Sequence, residues 1–229
     1  MTESLFAENY KNTPYWWDRT PRPTIKEIPL PKETEVLVIG SGYTGLCTAI
    51  QTCRNGLGTV VLEAQDAGWG GSSRNGGQVS PSIKPSFQEL SRKYGEEPAR
   101  ELLKEGYNAL KWIGDFIQEE NIDCDFKRVG RYYGAHSLSQ FKHLEKIINE
   151  QPEGLQLDVN LIPKSQQHTE IGSDFYHGGI VHQNHASLDP ARFHQGLLEV
   201  ALTSGAQIKT HCAVNKIEKK GGIFQIHTE

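Results

Sequence analysis

An apolar run, Val36-Leu37-Val38-Ile39, opens directly onto Gly40-Ser41-Gly42-Tyr43-Thr44-Gly45, and this junction restricts the fold more than any other stretch of the chain. A continuous apolar run that ends at glycine reads as a strand buried on both faces. Residues 43–54 are good or tolerated helix formers, and Asn55-Gly56 supplies a helix stop. Residues 59–63 form a second apolar strand. Strand, glycine turn, helix and strand in about 30 residues make a βαβ unit with parallel strands and a right-handed crossover.

The hexapeptide fits G-x-G-x-x-G in the one context where that pattern is informative, after a buried strand and at a helix start. Gly40 permits the tight turn, Gly42 lets a pyrophosphate approach the backbone, and Gly45 lets the helix pack on the strand. The helix start presents N–H groups and partial positive charge to a diphosphate. Glu63, ending the second strand, can accept hydrogen bonds from ribose hydroxyls and would repel the 2′-phosphate of NADP. Dinucleotide binding follows. Which dinucleotide turns on residues 65–86, rich in Gly, Ser, Asn and Pro, which read as one long loop. A simple NAD unit would pass quickly into another helix. Here Gly68-Trp69-Gly70-Gly71-Ser72-Ser73-Arg74-Asn75-Gly76-Gly77 offers backbone to a large planar cofactor, and Arg74 offers positive charge to a diphosphate or a reduced flavin.

The remaining pattern alternates. Helices are expected at 97–120, 139–150 and 190–204, the last with Asp189 as N-cap and Pro190 in its first turn. Strands are expected at 126–135 and 175–182, and three short ones at 207–227 with a turn at Lys220-Gly221-Gly222. A break falls at Gln151-Pro152-Glu153-Gly154. The fold class is α/β.

A net charge of −4 with neither a basic stripe nor an acidic block argues against nucleic acid as partner. No apolar run approaches the roughly 18 residues of a transmembrane helix, and the polar, proline-rich start lacks the pattern of a signal peptide, so a cytoplasmic protein is expected. The four cysteines form no C-x-x-C pair and read as thiols. His177, His182, His185 and His194 lie close in sequence, but no carboxylate stands at a fixed spacing, so no metal site is assigned. Tyr15, Trp16 and Trp17 are expected to anchor the N-terminal arm on the domain surface rather than to bind a partner.

LVIGSGYTGL, VVLEAQDAGWGGSSRNGGQ and PYWWD together resemble the FAD-dependent oxidoreductases of the D-amino-acid-oxidase-like family, and within it the gamma-glutamylputrescine oxidase type. The resemblance continues at GGIVHQNHASLDPARF and THCAVNKIE. It implies a Rossmann-like FAD-binding domain of glutathione-reductase type, discontinuous over 35–85 and 186–229, behind an arm at 1–34. Residues 86–185 would be an inserted α+β substrate or cap domain. It further implies noncovalent FAD, with Gly40, Ser41, Gly42, Tyr43, Thr44 and Gly45 at the diphosphate and Glu63 and Ala64 at the ribose. Ser73, Arg74, Asn75, Gly76 and Gly77 would lie on the flavin side, and the Val214 backbone at adenine. The implied reaction is oxidation of the C–N bond of an amine or amino acid by hydride transfer to flavin, with oxygen or another electron acceptor completing the cycle. Family members continue past the hairpin at 217–227. The chain is therefore expected to be an N-terminal piece with an incomplete pocket and substrate domain, and no catalytic residue is named. The rivals are an NAD-dependent dehydrogenase and a noncatalytic dinucleotide-binding fragment.

Overall fold

The computed structural model describes residues 5–149 and 158–228. The chain divides into two units, one built from residues 1–77, 122–124 and 189–229, the other from 78–121 and 125–188.

The first unit is organised by a parallel sheet in which Thr59–Leu62 lies between Val36–Ile39 and Gln207–Lys209. All four residues of the central strand are buried, as a strand covered on both faces requires. The helix Tyr43–Arg54 turns Leu46, Ala49 and Ile50 inward, and the helix Pro190–Thr203 packs against it with Phe193, Leu197 and Leu198 buried. Each large apolar side chain so buried contributes about 1.5–3 kcal/mol. The second helix begins where the sequence predicts: Asp189 accepts from the N–H groups of Ala191 and Arg192, and Pro190 occupies the first turn. Beyond the sheet, Val214–Lys220 and Ile223–Thr228 form an antiparallel hairpin through the two-residue turn Gly221-Gly222.

In the second unit the strand Gly179–His182 is central, flanked antiparallel by Arg131–Gly134 and Val159–Ile162. The helix Leu138–Asn149 covers this sheet, with Leu144 and Phe141 packed on Ala135 and Ile180. A second small sheet joins Gln78–Val79, Ala186–Ser187 and Lys127–Arg128. Together the units are the α/β, Rossmann-like fold with an inserted α+β unit that the sequence predicts.

Several local expectations change. The loop of residues 65–86 contains a 3-10 turn at Gly71–Ser73 and the short strand Gln78–Val79. The strand expected over 126–135 is two strands on different sheets, because Gly130 takes φ +68 and its N–H donates to His185. The strand expected over 175–182 begins only at Gly179, and the helices Tyr15–Arg19 and Phe87–Tyr94 and the strand Val159–Ile162 are additional. The break at 151–154 lies outside the described residues.

Candidate active site: a glycine turn locked to an acid

At the carboxyl end of Val36–Ile39 the chain reverses through Gly40, whose φ of +93 lies in the region that favours glycine. Its N–H donates to the Leu62 carbonyl at 2.8 Å, tying the turn to the neighbouring strand. Gly45 answers a different demand. A Cβ there would run into the Gly40 carbonyl oxygen and the Val38 side chain, so only glycine lets the helix sit this close to strand and turn. Gly42 caps the helix and has no side chain with which to occupy the first-turn N–H groups, although Ser72 Oγ accepts from Tyr43 N–H at 3.2 Å. Such a helix start suits an anionic group.

Ser41 is fully buried and is the hub of the site. Its N–H and hydroxyl both donate to Glu63 Oε2, at 2.9 and 2.7 Å. Its Oγ accepts from Gly68 N–H at 3.1 Å, and its carbonyl accepts from His194 Nε2 at 2.7 Å. Because a carbonyl can only accept, Nε2 carries the proton, and burial pushes the His194 pKa down, keeping the ring neutral. Glu63 Oε1 accepts from Gln65 N–H at 3.0 Å, so three of a carboxylate's roughly four acceptor directions are used and one remains. The backbone of Glu63 is pinned too, its N–H donating to Lys209 and its carbonyl accepting from Cys212. Ala64 beside it is exposed.

The glycine-rich loop closes over this hub. Gly68 lies flat against the His194 imidazole, where any Cβ would strike the ring. Asn75 braces the segment from within: its Nδ2 donates to Gly71 O and to Tyr43 Oη, and its Oδ1 accepts from Gly77 N–H at 2.8 Å. Burial pushes the Tyr43 phenol up to about 12, so it stays protonated at neutral pH. Ser73 is buried and its hydroxyl donates to Gly68 O, whereas Gly76 is exposed. Arg74 holds its guanidinium over Trp17 and Trp69, at 5.4 and 5.7 Å from the ring centroids. Val214 packs beside Val60, Leu62 and Cys212 where the hairpin begins.

The residues singled out from sequence thus converge in the first unit, the turn and the acid by direct hydrogen bonds and the loop through Ser72 and Asn75. A groove of about 450 Å³ runs nearby, past the carboxyl ends of Thr59–Leu62 and Gln207–Lys209. Its walls carry Arg22, Asp66, Lys209 and His211, and ligand sites of open parallel sheets occur in this position. Three contributors were not named as site residues from the sequence. His194 was visible only as one of four neighbouring histidines. The rings of His182 and His185 lie 4.9 Å apart and tilted in the second unit, while His194 serves Ser41 in the first. Trp16 and Trp17 reach residues 73–75 through their indole N–H groups.

Comparison with known proteins identifies the family. The family model "FAD dependent oxidoreductase" matches residues 35–229. Gamma-glutamylputrescine oxidoreductase of Escherichia coli is 30% identical over 190 residues, 80% of this chain and 43% of that protein. A probable oxidoreductase, OrdL, of Rhizobium meliloti is 29% identical over 93% of this chain and 50% of its own length. The chain thus spans about half the length of the curated relatives it matches. Among solved structures, glycine oxidase from Geobacillus kaustophilus has a TM-score of 0.73 at 14% identity, covering 85% of this chain and 51% of that one.

Proposed function

This chain belongs to the family of FAD-dependent oxidoreductases, and from that premise we propose that its first unit holds the ADP half of FAD and that the whole protein oxidises the C–N bond of an amine or amino acid. The observation that carries the reading is the lock between Ser41 and Glu63, which makes one piece of the turn that faces the diphosphate and the acid that faces the ribose. Gly40, Ser41, Gly42, Tyr43, Thr44 and Gly45 lie along the diphosphate, whose charge the start of Tyr43–Arg54 offsets. Glu63 gives its remaining acceptor direction to a ribose hydroxyl, with Ala64 alongside, and Val214 meets adenine through its backbone. Ser73, Arg74, Asn75, Gly76 and Gly77 line the flavin side, and the second unit supplies part of a substrate domain.

When bound, FAD supplies the two-electron acceptor: hydride leaves the carbon bearing the amine, the nitrogen loses a proton, and water hydrolyses the imine to a carbonyl compound and the released amine or ammonia. Oxygen or another acceptor takes the electrons in turn. The likeness to gamma-glutamylputrescine oxidoreductase supports an amine or amino acid as substrate. We place the protein in the cytoplasm, where the thiols of Cys47, Cys53 and Cys212 stay reduced. Among the described residues no helix is long and apolar enough to cross a membrane.

The test is an absorption spectrum of the purified protein after incubation with FAD and removal of unbound cofactor, followed by anaerobic addition of amines and amino acids. Retained oxidised-flavin bands that bleach with one of these substrates are expected. Protein that retains no flavin but binds NAD would overturn the cofactor assignment, and flavin that no amine or amino acid bleaches would overturn C–N oxidation by this chain in favour of a noncatalytic dinucleotide-binding fragment.

A further inference from the structure

The N-terminal arm does more than lie on the surface of the first unit. Trp16 Nε1 donates to Asn75 O at 2.8 Å, Trp17 Nε1 to Ser73 Oγ at 2.7 Å, and Arg22 Nη2 to Ala67 O at 2.6 Å. Ser73 passes the second contact inward by donating to Gly68 O at 2.6 Å. The arm thereby engages the backbone of residues 67–75 at Ala67 and Asn75 directly and at Gly68 through one hydroxyl. A stack of rings and guanidiniums runs alongside. Trp17 packs on Trp69 at 5.2 Å, Arg22 lies 4.4 Å from the Trp17 centroid and 5.5 Å from that of Trp69, and Arg74 lies over the same two rings.

Arg22 is placed at some cost. Its Nε and Nη1 are buried without hydrogen-bond partners, and Asp66 Oδ2 stands 3.7 Å from Nε, beyond hydrogen-bond length. A guanidinium gives up water on these terms where stacking and the bond to Ala67 hold it in place. The loop it grips has glycine at 68, 70, 71, 76 and 77, the residue type that loses most conformational freedom on ordering. Ordering such a segment carries a high entropic cost, which contacts from outside help to offset. The same loop reaches the glycine turn on its other side, through Gly68 to Ser41 and Asn75 to Tyr43.

We infer that Trp16, Trp17 and Arg22 form a strap of positioning residues that sets residues 67–77 in the conformation FAD requires on its flavin side; this rests on the assignment of that loop to FAD. Among the described residues no hydrogen bond joins Trp16 or Trp17 to residues 40–45, so loss of the tryptophan contacts falls on FAD and spares ADP.

The experiment compares the full chain with Trp17→Phe, Trp17→Leu and Arg22→Lys. Binding of FAD and of ADP is titrated separately, and amide hydrogen exchange of residues 67–77 is followed without nucleotide. Trp17→Phe keeps a ring but loses the N–H, and Arg22→Lys keeps the charge but loses the planar fork. Either loses about one net hydrogen bond, and weakening of FAD binding by about tenfold is expected; in Trp17→Phe, which leaves the groove wall at Arg22 intact, ADP should change less than about twofold. Trp17→Leu should weaken FAD further, and exchange should quicken within 67–77 while the strands Val36–Ile39 and Thr59–Leu62 stay protected. In Trp17→Phe, equal weakening of FAD and ADP, or unchanged FAD affinity with unchanged exchange, would overturn the strap. If the parent chain binds no FAD, the functional reading fails separately; faster exchange confined to 67–77 would then support a strap on that loop, and unchanged exchange would overturn it.

Discussion

Ser41 occupies a position that a motif pattern writes as "any residue", yet it makes four hydrogen bonds, to Glu63, Gly68 and His194. Replacing it by alanine removes the hydroxyl that Glu63 and Gly68 share and leaves the Gly68 N–H buried without a partner. Ser41→Ala should cost about 1–3 kcal/mol of stability, measured by urea unfolding, and should weaken ADP binding as Glu63 loses its brace. Glycines and acid were legible in the sequence because each answers a geometric demand that few residues can meet. Ser41 was read only as part of the diphosphate turn and His194 only as one of several histidines, because a buried hydrogen bond spanning 153 positions leaves no periodic trace. Glu63 was read for its ribose role alone, and its second task, holding the turn, appears only when the turn is seen folded onto it.

Local signals that were read came out where expected, one was missed, and an element that depends on a distant partner was not foreseen. The helix Pro190–Thr203 announced itself through Asp189 and Pro190. The helix Phe87–Tyr94 carried an equally good signal in Ser86 and Glu89, a reciprocal capping box, and was overlooked because the surrounding prolines and glycines read as loop. The strand Val159–Ile162 is four residues long and is defined by its partner Gly179–His182 rather than by its own pattern. The long helix Glu96–Glu119 holds Gly106 against the Pro81 carbonyl, where a Cβ would overlap the backbone. Helix propensity alone favours Gly106→Ala by about 1 kcal/mol. The overlap reverses the sign, and a net loss of about 1–3 kcal/mol is expected, read as a lower thermal midpoint for the second unit.

Among the described residues of the whole molecule, three histidines are held below their ordinary pKa, chiefly by burial: His182, pushed down to about 4, with His185 in the second unit, and His194 in the first. The charges of Arg131 and His185 add to the effect at His182. In the unfolded chain a histidine titrates near 6.5. Between there and the lowered folded value, about 4 for His182, the unfolded state therefore binds protons that the folded state refuses, so stability present above about pH 6.5 is lost as the pH falls. The urea midpoint should be lower at pH 5 than at pH 7.5, and His182→Gln should flatten the dependence in the second unit while leaving that of the first. The contact between Gly68 and His194 carries a further consequence, for divergence among relatives. A side chain at position 68 and an imidazole at position 194 exclude one another, so the two sites should change together. Where a relative has a small residue in place of His194, asparagine or aspartate becomes admissible in place of Gly68, whose φ of +69 those residues tolerate; where histidine is retained, glycine should be as well.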